Sequence, residues 1–185
     1  MKVTIFKSIK ETKSPHHIMI PTALQRIQQG KSKSLIKKIR SGDKSKKKEL
    51  PIVCFSGEFS SRSDDALFEH SGYIILDFDH VKVGEVKKAL ATDEYVHSCW
   101  MSPSGDGVKA LVRITNPERH RDHFRALCTY FNKQYCLEVD ESGINESRAC
   151  FESYDPDIIV KDSSKKFGAF TSEFAEQQAP ANESY

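Results

Sequence analysis

The chain has no long apolar run. None approaches the roughly 18–20 residues needed to cross a bilayer, so no membrane partner is expected. It also has no C-x-x-C pair, and its five cysteines (Cys54, Cys99, Cys128, Cys136, Cys150) are odd in number and mostly sit inside apolar stretches. That usage argues against a structural zinc site or a disulfide frame and suits reduced thiols in a cytoplasm. The opening MKVTIFKSIK carries charge and no cleavage-like pattern, so no signal peptide is expected. A G-x-x-x-x-G-K-[S/T] phosphate loop is missing, which excludes that class of NTPase. No internal repeat appears.

What is present is enough chain for a domain with a real core: 185 residues, 38% hydrophobic and 29% charged, the balance of a globular protein. The net charge of +2 hides an uneven distribution. Residues 31–48 hold nine basic residues (Lys31, Lys33, Lys37, Lys38, Arg40, Lys44, Lys46, Lys47, Lys48) against Asp43 alone, so 9 − 1 = +8. Such a block is a candidate footprint for nucleic acid, with a solvated linker as the plain alternative.

Periodicity predicts a short strand at VTIF, a helix from Pro21 stopped by Gly30, and a strand over 51–59. Residues 60–72 read as a polar connection with one helical turn. From Tyr73 the pattern sharpens: strand 73–79, helix 83–91, strand 96–102, a Ser/Pro/Gly turn over 102–107, strand 108–114, helix from Asn116-Pro117 to about 134, and strand 136–140. This β-α-β-β-α-β order is the ferredoxin-like or RNA-recognition-like pattern of an α+β protein, with helices on one face of the sheet. Alternation then puts Ile75, Asp77 and Asp79 on the face opposite the helices, together with Lys109, Leu111 and Arg113, and with Glu138 and Asp140. Acids and bases from separate strands should therefore collect on the uncovered face.

Three constellations carry chemistry. In LDFDH, Asp77 and Asp79 at i and i+2 point the same way and can share hard cations, since two adjacent carboxylates in an apolar strand repel unless neutralised. Asp140, at the end of the last strand, is the third acid, with Glu138 as its nearest substitute. A solvated strand end is the plain alternative for the aspartate pair. In SPSGDGVK, Gly105 and Gly107 would let backbone N–H groups approach an anion, Ser102 and Ser104 add hydroxyls, and Lys109 opens the strand antiparallel to that of Asp77. The alternative there is an ordinary hairpin turn. In NESRACFES, Arg148 offers a two-pronged contact to phosphate, or else is a surface or capping arginine. His16-His17 reads as a loop, and His120 and His123 as a solvated helix face. Trp100 reads as packing, and His80 as a ligand or a turn residue.

LDFDH, then SPSGDGVK, then Val139-Asp140 with a downstream arginine, resembles the archaeo-eukaryotic primase superfamily over about residues 50–160. The chain is most similar to the N-terminal domain of virulence-associated E-type proteins of phage and mobile-element primase–helicases. Asp77 and Asp79 match the acid-x-acid motif and Asp140 the hydrophobic-Asp motif, while Lys109 stands where a triphosphate-binding histidine is expected. The resemblance implies a smaller N-terminal α/β unit (1–70, containing the basic segment) beside an RNA-recognition-like catalytic half (71–162), followed by a polar tail or linker (163–185). The expected activity is primer synthesis by a DNA-directed primase–polymerase. Asp77, Asp79 and Asp140 would hold two Mg²⁺ or Mn²⁺ ions, and Ser102, Ser104, Gly105, Gly107, Lys109 and Arg148 the nucleoside triphosphate. The basic segment would track a single-stranded template, with a helicase domain or protein as a further partner. The rival expectations are a lapsed nucleic-acid-binding module and a metal-dependent nuclease.

Overall fold

The computed structural model describes residues 1–169. The chain opens with β1 (Lys2–Phe6), β2 (His16–Met19), α1 (Ile20–Gln29), α2 (Lys33–Arg40), β3 (Ile52–Cys54), β4 (Gly57–Phe59) and β5 (Leu67–His70). It continues with β6 (Tyr73–Phe78), α3 (Val83–Thr92), β7 (Val96–Met101), β8 (Val108–Arg113), α4 (His120–Tyr135), β9 (Cys150–Phe151) and β10 (Ile159–Val160). This is a mixed α+β architecture in which every strand ladder is antiparallel. No helix among the described residues is long and apolar enough to cross a membrane.

One sheet runs β2-β1-β3-β9, a second β10-β7-β8-β6, and β4-β5 forms a separate ladder. The second sheet has the alternation expected of it. Ile74, Leu76 and Phe78 of β6 and Ala110 and Val112 of β8 join Val86, Leu90, Phe124, Leu127 and Phe131 of the two helices in one core. The opposite face is not left open. Ile75, Trp100 and Leu111 are buried against Val3, Leu24, Ile27, Val53 and Phe55 of the first sheet and α1. The apolar residues that alternate with Asp77 and Lys109 demand this cover, because an exposed Ile75–Leu111 stripe would forfeit its burial energy. The uncovered face predicted from the sequence therefore shrinks to one end of the strands.

Several local expectations are corrected. The predicted strand 51–59 is two strands, β3 and β4, and the polar connection 60–72 contains β5. His16 and His17 lie on β2 rather than in a loop. Residues 136–140 form no strand: Cys136 takes a left-handed φ of 53° that ends α4, and a single backbone bond, Asp140 N–H to Asp77 O at 2.9 Å, lays the segment beside β6. In the expected tail, Phe167 is 2% exposed and bonds through its N–H to Arg113 O at 2.7 Å, so 163–169 packs as part of the fold. The remainder of that tail lies outside the described residues.

The basic segment is not a linker either. α2 buries Ile36 and Ile39 with Leu50, leaving its lysines on the outer face. Beyond β9, Glu152 (2% exposed) accepts from Arg26 of α1 at 2.5 Å and from the Ser32 hydroxyl. The segment that leaves the second sheet is thus tied into the N-terminal elements, and β9 completes the first sheet.

Candidate functional site

β6 and β8 pair so that Asp77 faces Lys109 directly across the ladder. The Lys109 ammonium, on a residue 7% exposed, donates to Asp77 Oδ1. Burial pushes the Asp77 carboxyl up, but the Lys109 ammonium and then the Arg148 guanidinium outweigh it and hold it below the ordinary range. Burial likewise lowers Lys109, and Asp77 more than restores it, leaving it raised. Both groups are charged at neutral pH, and each holds the other there.

Asp140 arrives from the other side. Its carboxylate caps a short turn (Glu141–Gly143), accepting from Ser142 N–H at 3.0 Å and from the Ser142 hydroxyl at 2.8 Å. Partial burial raises its pKa, while the Ser142 bonds and then Arg148 more than offset this, so it too sits low. Arg148 joins the two acids. Its Nη2 donates to Asp140 Oδ2 at 2.7 Å and to Asp77 Oδ2 at 3.4 Å, and its Nη1 donates to the Ser142 hydroxyl at 2.9 Å. A cation thus already lies between the two carboxylates.

These groups form the floor of a cleft of about 510 Å³, also lined by Asp79, Ser102, Ser104, Asn145, Ser147, Lys47 and Arg62. Ser102 is 7% exposed and its hydroxyl has no partner, the kind of orphaned donor that a ligand would satisfy. Asp79 is exposed at the cleft lip, just past the end of β6.

Two glycines shape the 102–107 turn. Gly105 N–H is spent on Ser102 O at 3.1 Å, and its φ of 87° suits glycine. A Cβ on Gly107 would lie 2.8 Å from Phe78 O, so the turn packs on the end of β6 only without a side chain. Arg40 braces this turn from α2, donating to Ser102 O at 3.0 Å and to Tyr154 O at 2.9 Å.

All of the cleft residues named here fall within the 45–159 stretch that matches the profile of the BT4734-like N-terminal domain family. The chain belongs to that family. No curated protein and no solved structure matches it. In this BT4734-like domain the matched stretch begins just before Lys46, so it takes in the last lysines of the basic segment, the acids and Arg148.

Of the nine basic residues singled out by sequence, the structure brings Lys47 to the cleft, where its ammonium lies 5.3 Å from the Phe151 ring centre. Lys46 pairs with Glu49 at 2.7 Å and Lys33 sits over Tyr154. Lys31, Lys37, Lys38, Lys44 and Lys48 lie on the protein surface away from the cleft lining. Arg40 turns inward, as described. Sequence reasoning missed Arg62, whose guanidinium lines the cleft while donating to Ile9 O at 3.0 Å; nothing in SSRSDD marks it. It also missed a histidine pair. His120 (2% exposed) and His123 (0%) are buried rather than solvated, because the first turn of α4 docks on β5 and on the 167–169 segment. His70 Nδ1 accepts from Gly72 N–H at 2.9 Å, which leaves its Nε2 to donate to His120 Nδ1 at 3.0 Å. Trp100 is core, as read, and His80 sits at φ 53° beside Asp106 in a turn. The cysteines are free thiols, and burial raises Cys54 and Cys150 to about 12, consistent with packing roles.

Among the described residues, no group of three or more His, Cys, Asp or Glu side chains is arranged to hold a metal ion. The donors are nonetheless of the right kind for a hard cation: two carboxylates that already flank one guanidinium nitrogen, with a third on the same cleft wall. As the site stands, the Asp77 and Asp140 carboxylates are paired with Lys109 and Arg148.

Proposed function

We propose that the cleft is a nucleotidyl-transfer site of the primase–polymerase kind, serving primer synthesis on a single-stranded template in a phage or mobile element. One observation carries this reading: Asp77 and Asp140, brought from separate parts of the chain, share one arginine nitrogen at the floor of a cleft that also holds a buried lysine. The motif resemblance to archaeo-eukaryotic primases and to virulence-associated E-type domains supports it. So does the backbone bond from Asp140 to Asp77, which sets 136–140 beside β6 as a ferredoxin-like order would require.

Asp77, Asp79 and Asp140 would hold Mg²⁺ or Mn²⁺, which when bound would supply charge neutralisation at the attacked phosphorus and acidify the attacking hydroxyl. The residues of the chain bind and orient. Lys109 and Arg148 receive phosphate oxygens, and the Ser102 and Ser104 hydroxyls donate from the turn. Lys47 and Arg62, on the cleft wall, and the lysines of α2 attract the template backbone. A helicase partner and a cytoplasmic setting belong to the same proposal.

The test is primer synthesis or extension with Mn²⁺, nucleoside triphosphates and a single-stranded template, comparing wild type with Asp77→Ala. Loss of at least about 100-fold in rate is the expected result. Equal activity in the two proteins would reject the assigned site. A second reading, a lapsed nucleic-acid-binding module of a primase–helicase, is favoured by the Lys109 ammonium seated on Asp77. Metal-independent binding of single-stranded DNA with no incorporation would select it.

A further inference from the structure

We infer that Phe151 and Ile9 form a platform in the cleft for one base of a single-stranded nucleic acid, with Lys47 and Arg62 holding the adjoining phosphates. The inference rests on the nucleic-acid side of the proposed function and names where the strand lies. It holds for a catalytic and for a lapsed site alike.

The cleft lining has two unlike parts. On the floor, Asp77 and Asp140 are matched by Lys109 and Arg148. The part supplied by the first sheet and its connections is apolar and cationic instead: Ile9, Ala149 and Phe151 with Lys47 and Arg62. Phe151 is a fixed ring. β9 pairs it with Ile52, and its side chain packs on the cluster of Phe6, Ile52, Cys54 and Phe59 and on that of Ile36, Ile39 and Leu50. Ile9 packs on the first of these clusters too.

The ring is nonetheless only partly covered, and the Lys47 ammonium lies over it. Unlike Lys46, Lys47 pairs with no carboxylate among the described residues. A cation on a solvated ring face gains less than a stacked base does, so a base takes the ring and the ammonium moves to a phosphate. Arg62 is placed for the same strand: one nitrogen donates to Ile9 O, while its buried Nε has no partner. The surrounding charge favours a strand over a free nucleotide. Lys7, Lys10 and Lys13 are exposed on the segment that carries Ile9, and Lys44 and Lys48 on the turn that carries Lys47. These cations continue beyond the cleft lining, farther than the phosphates of one nucleotide require. A paired base keeps its faces in the duplex stack, so the platform selects an unpaired one.

Fluorescence anisotropy in the presence of chelator can compare a labelled thymidine octamer with an octamer of abasic tetrahydrofuran spacers carrying the same phosphates. Wild type is expected to bind the thymidine chain at least about tenfold more tightly. Phe151→Leu, which keeps apolar bulk without the ring, should lose most of that preference, and Phe151→Tyr should retain it. Lys47→Met should keep the preference and lower the log–log salt slope by about one. Thymidine monophosphate should compete at least about 100-fold more weakly than unlabelled octamer, because it offers one phosphate. Three results would each overturn the inference while leaving the nucleotidyl-transfer reading standing: no base preference in wild type, a preference that survives in Phe151→Leu, or a monophosphate that competes as well as the octamer. If Phe151→Leu does not fold, photocrosslinking of wild type to a 5-iododeoxyuridine octamer decides the matter. Attachment at Phe151 supports the platform, and attachment only elsewhere overturns it. Failure of wild type to bind either octamer would remove the nucleic-acid reading and the inference with it.

Discussion

A charged side chain buried with its partner is stable only as long as both remain, and Glu152 is one such case in this fold. It is 2% exposed and accepts from Arg26 at 2.5 Å as well as from the Ser32 hydroxyl. Arg26→Ala would leave the carboxylate without its cation and should destabilise the protein by about 3 kcal/mol, read as a lower urea midpoint with an unchanged slope. At this scale the sequence was informative where two rules met. Strand alternation and the antiparallel run of a neighbouring strand together put Lys109 near the aspartates' end, and the register sets it directly across from Asp77. It was uninformative where like residues crowd together. Within 31–48 nothing distinguishes Arg40, which folds inward onto a turn, from the lysines beside it that stay in water. Arg62 was equally hidden in a run of serines and aspartates. Inward or outward is decided by which carbonyls a distant turn leaves unpaired, and such a fact is not written locally.

The elements around the site show the same division. β6, β7, β8, α3 and α4 were legible because their apolar residues repeat at periods that only one structure satisfies. Strand 136–140 was misread because alternation specifies which side chains turn inward, not whether a ladder forms. Leu137 and Val139 do pack on the core, and Asp140 does reach the cleft, without a strand. β5 was missed because its four residues, LFEH, are too few to show a period. The 102–107 turn reads from sequence as an anion cradle or an ordinary hairpin turn; in the structure its Gly105 N–H bonds to Ser102 O and its shape is held from outside by α2. Arg40→Ala should therefore loosen this turn selectively. Amide hydrogen exchange at Gly105 should accelerate by roughly tenfold or more while amides in the middle of β6 stay protected, and an unchanged Gly105 rate would show that the turn needs no brace.

For the molecule as a whole, acid sensitivity should arise away from the cleft. Desolvation holds His70 at about 4, and desolvation followed by the neighbouring His70 and Arg121 holds His120 at about 3, against an ordinary value of 6.5. Between the unfolded and folded values the unfolded chain binds more protons. Stability present at pH 7 should thus fall as pH drops from about 6.5 toward 4, by on the order of 2–3 kcal/mol. Urea unfolding at a series of pH values measures this. His120→Gln should flatten the dependence over that window, whatever it does to stability at pH 7. Asp77 and Asp140, both held low, should contribute losses only below about pH 4, the ordinary carboxylate value.

Arg148 stands two residues before β9, which is hydrogen-bonded into the first sheet, while Asp77 belongs to the second. The guanidinium that bridges the acids is therefore a clasp between the two halves of the molecule, mounted on one and fastened to the other. The gap between the sheets becomes a dimension of the chemistry. A core substitution at Phe55 or Trp100 that lets the halves part would unfasten Arg148 with every charged residue of the cleft still in place.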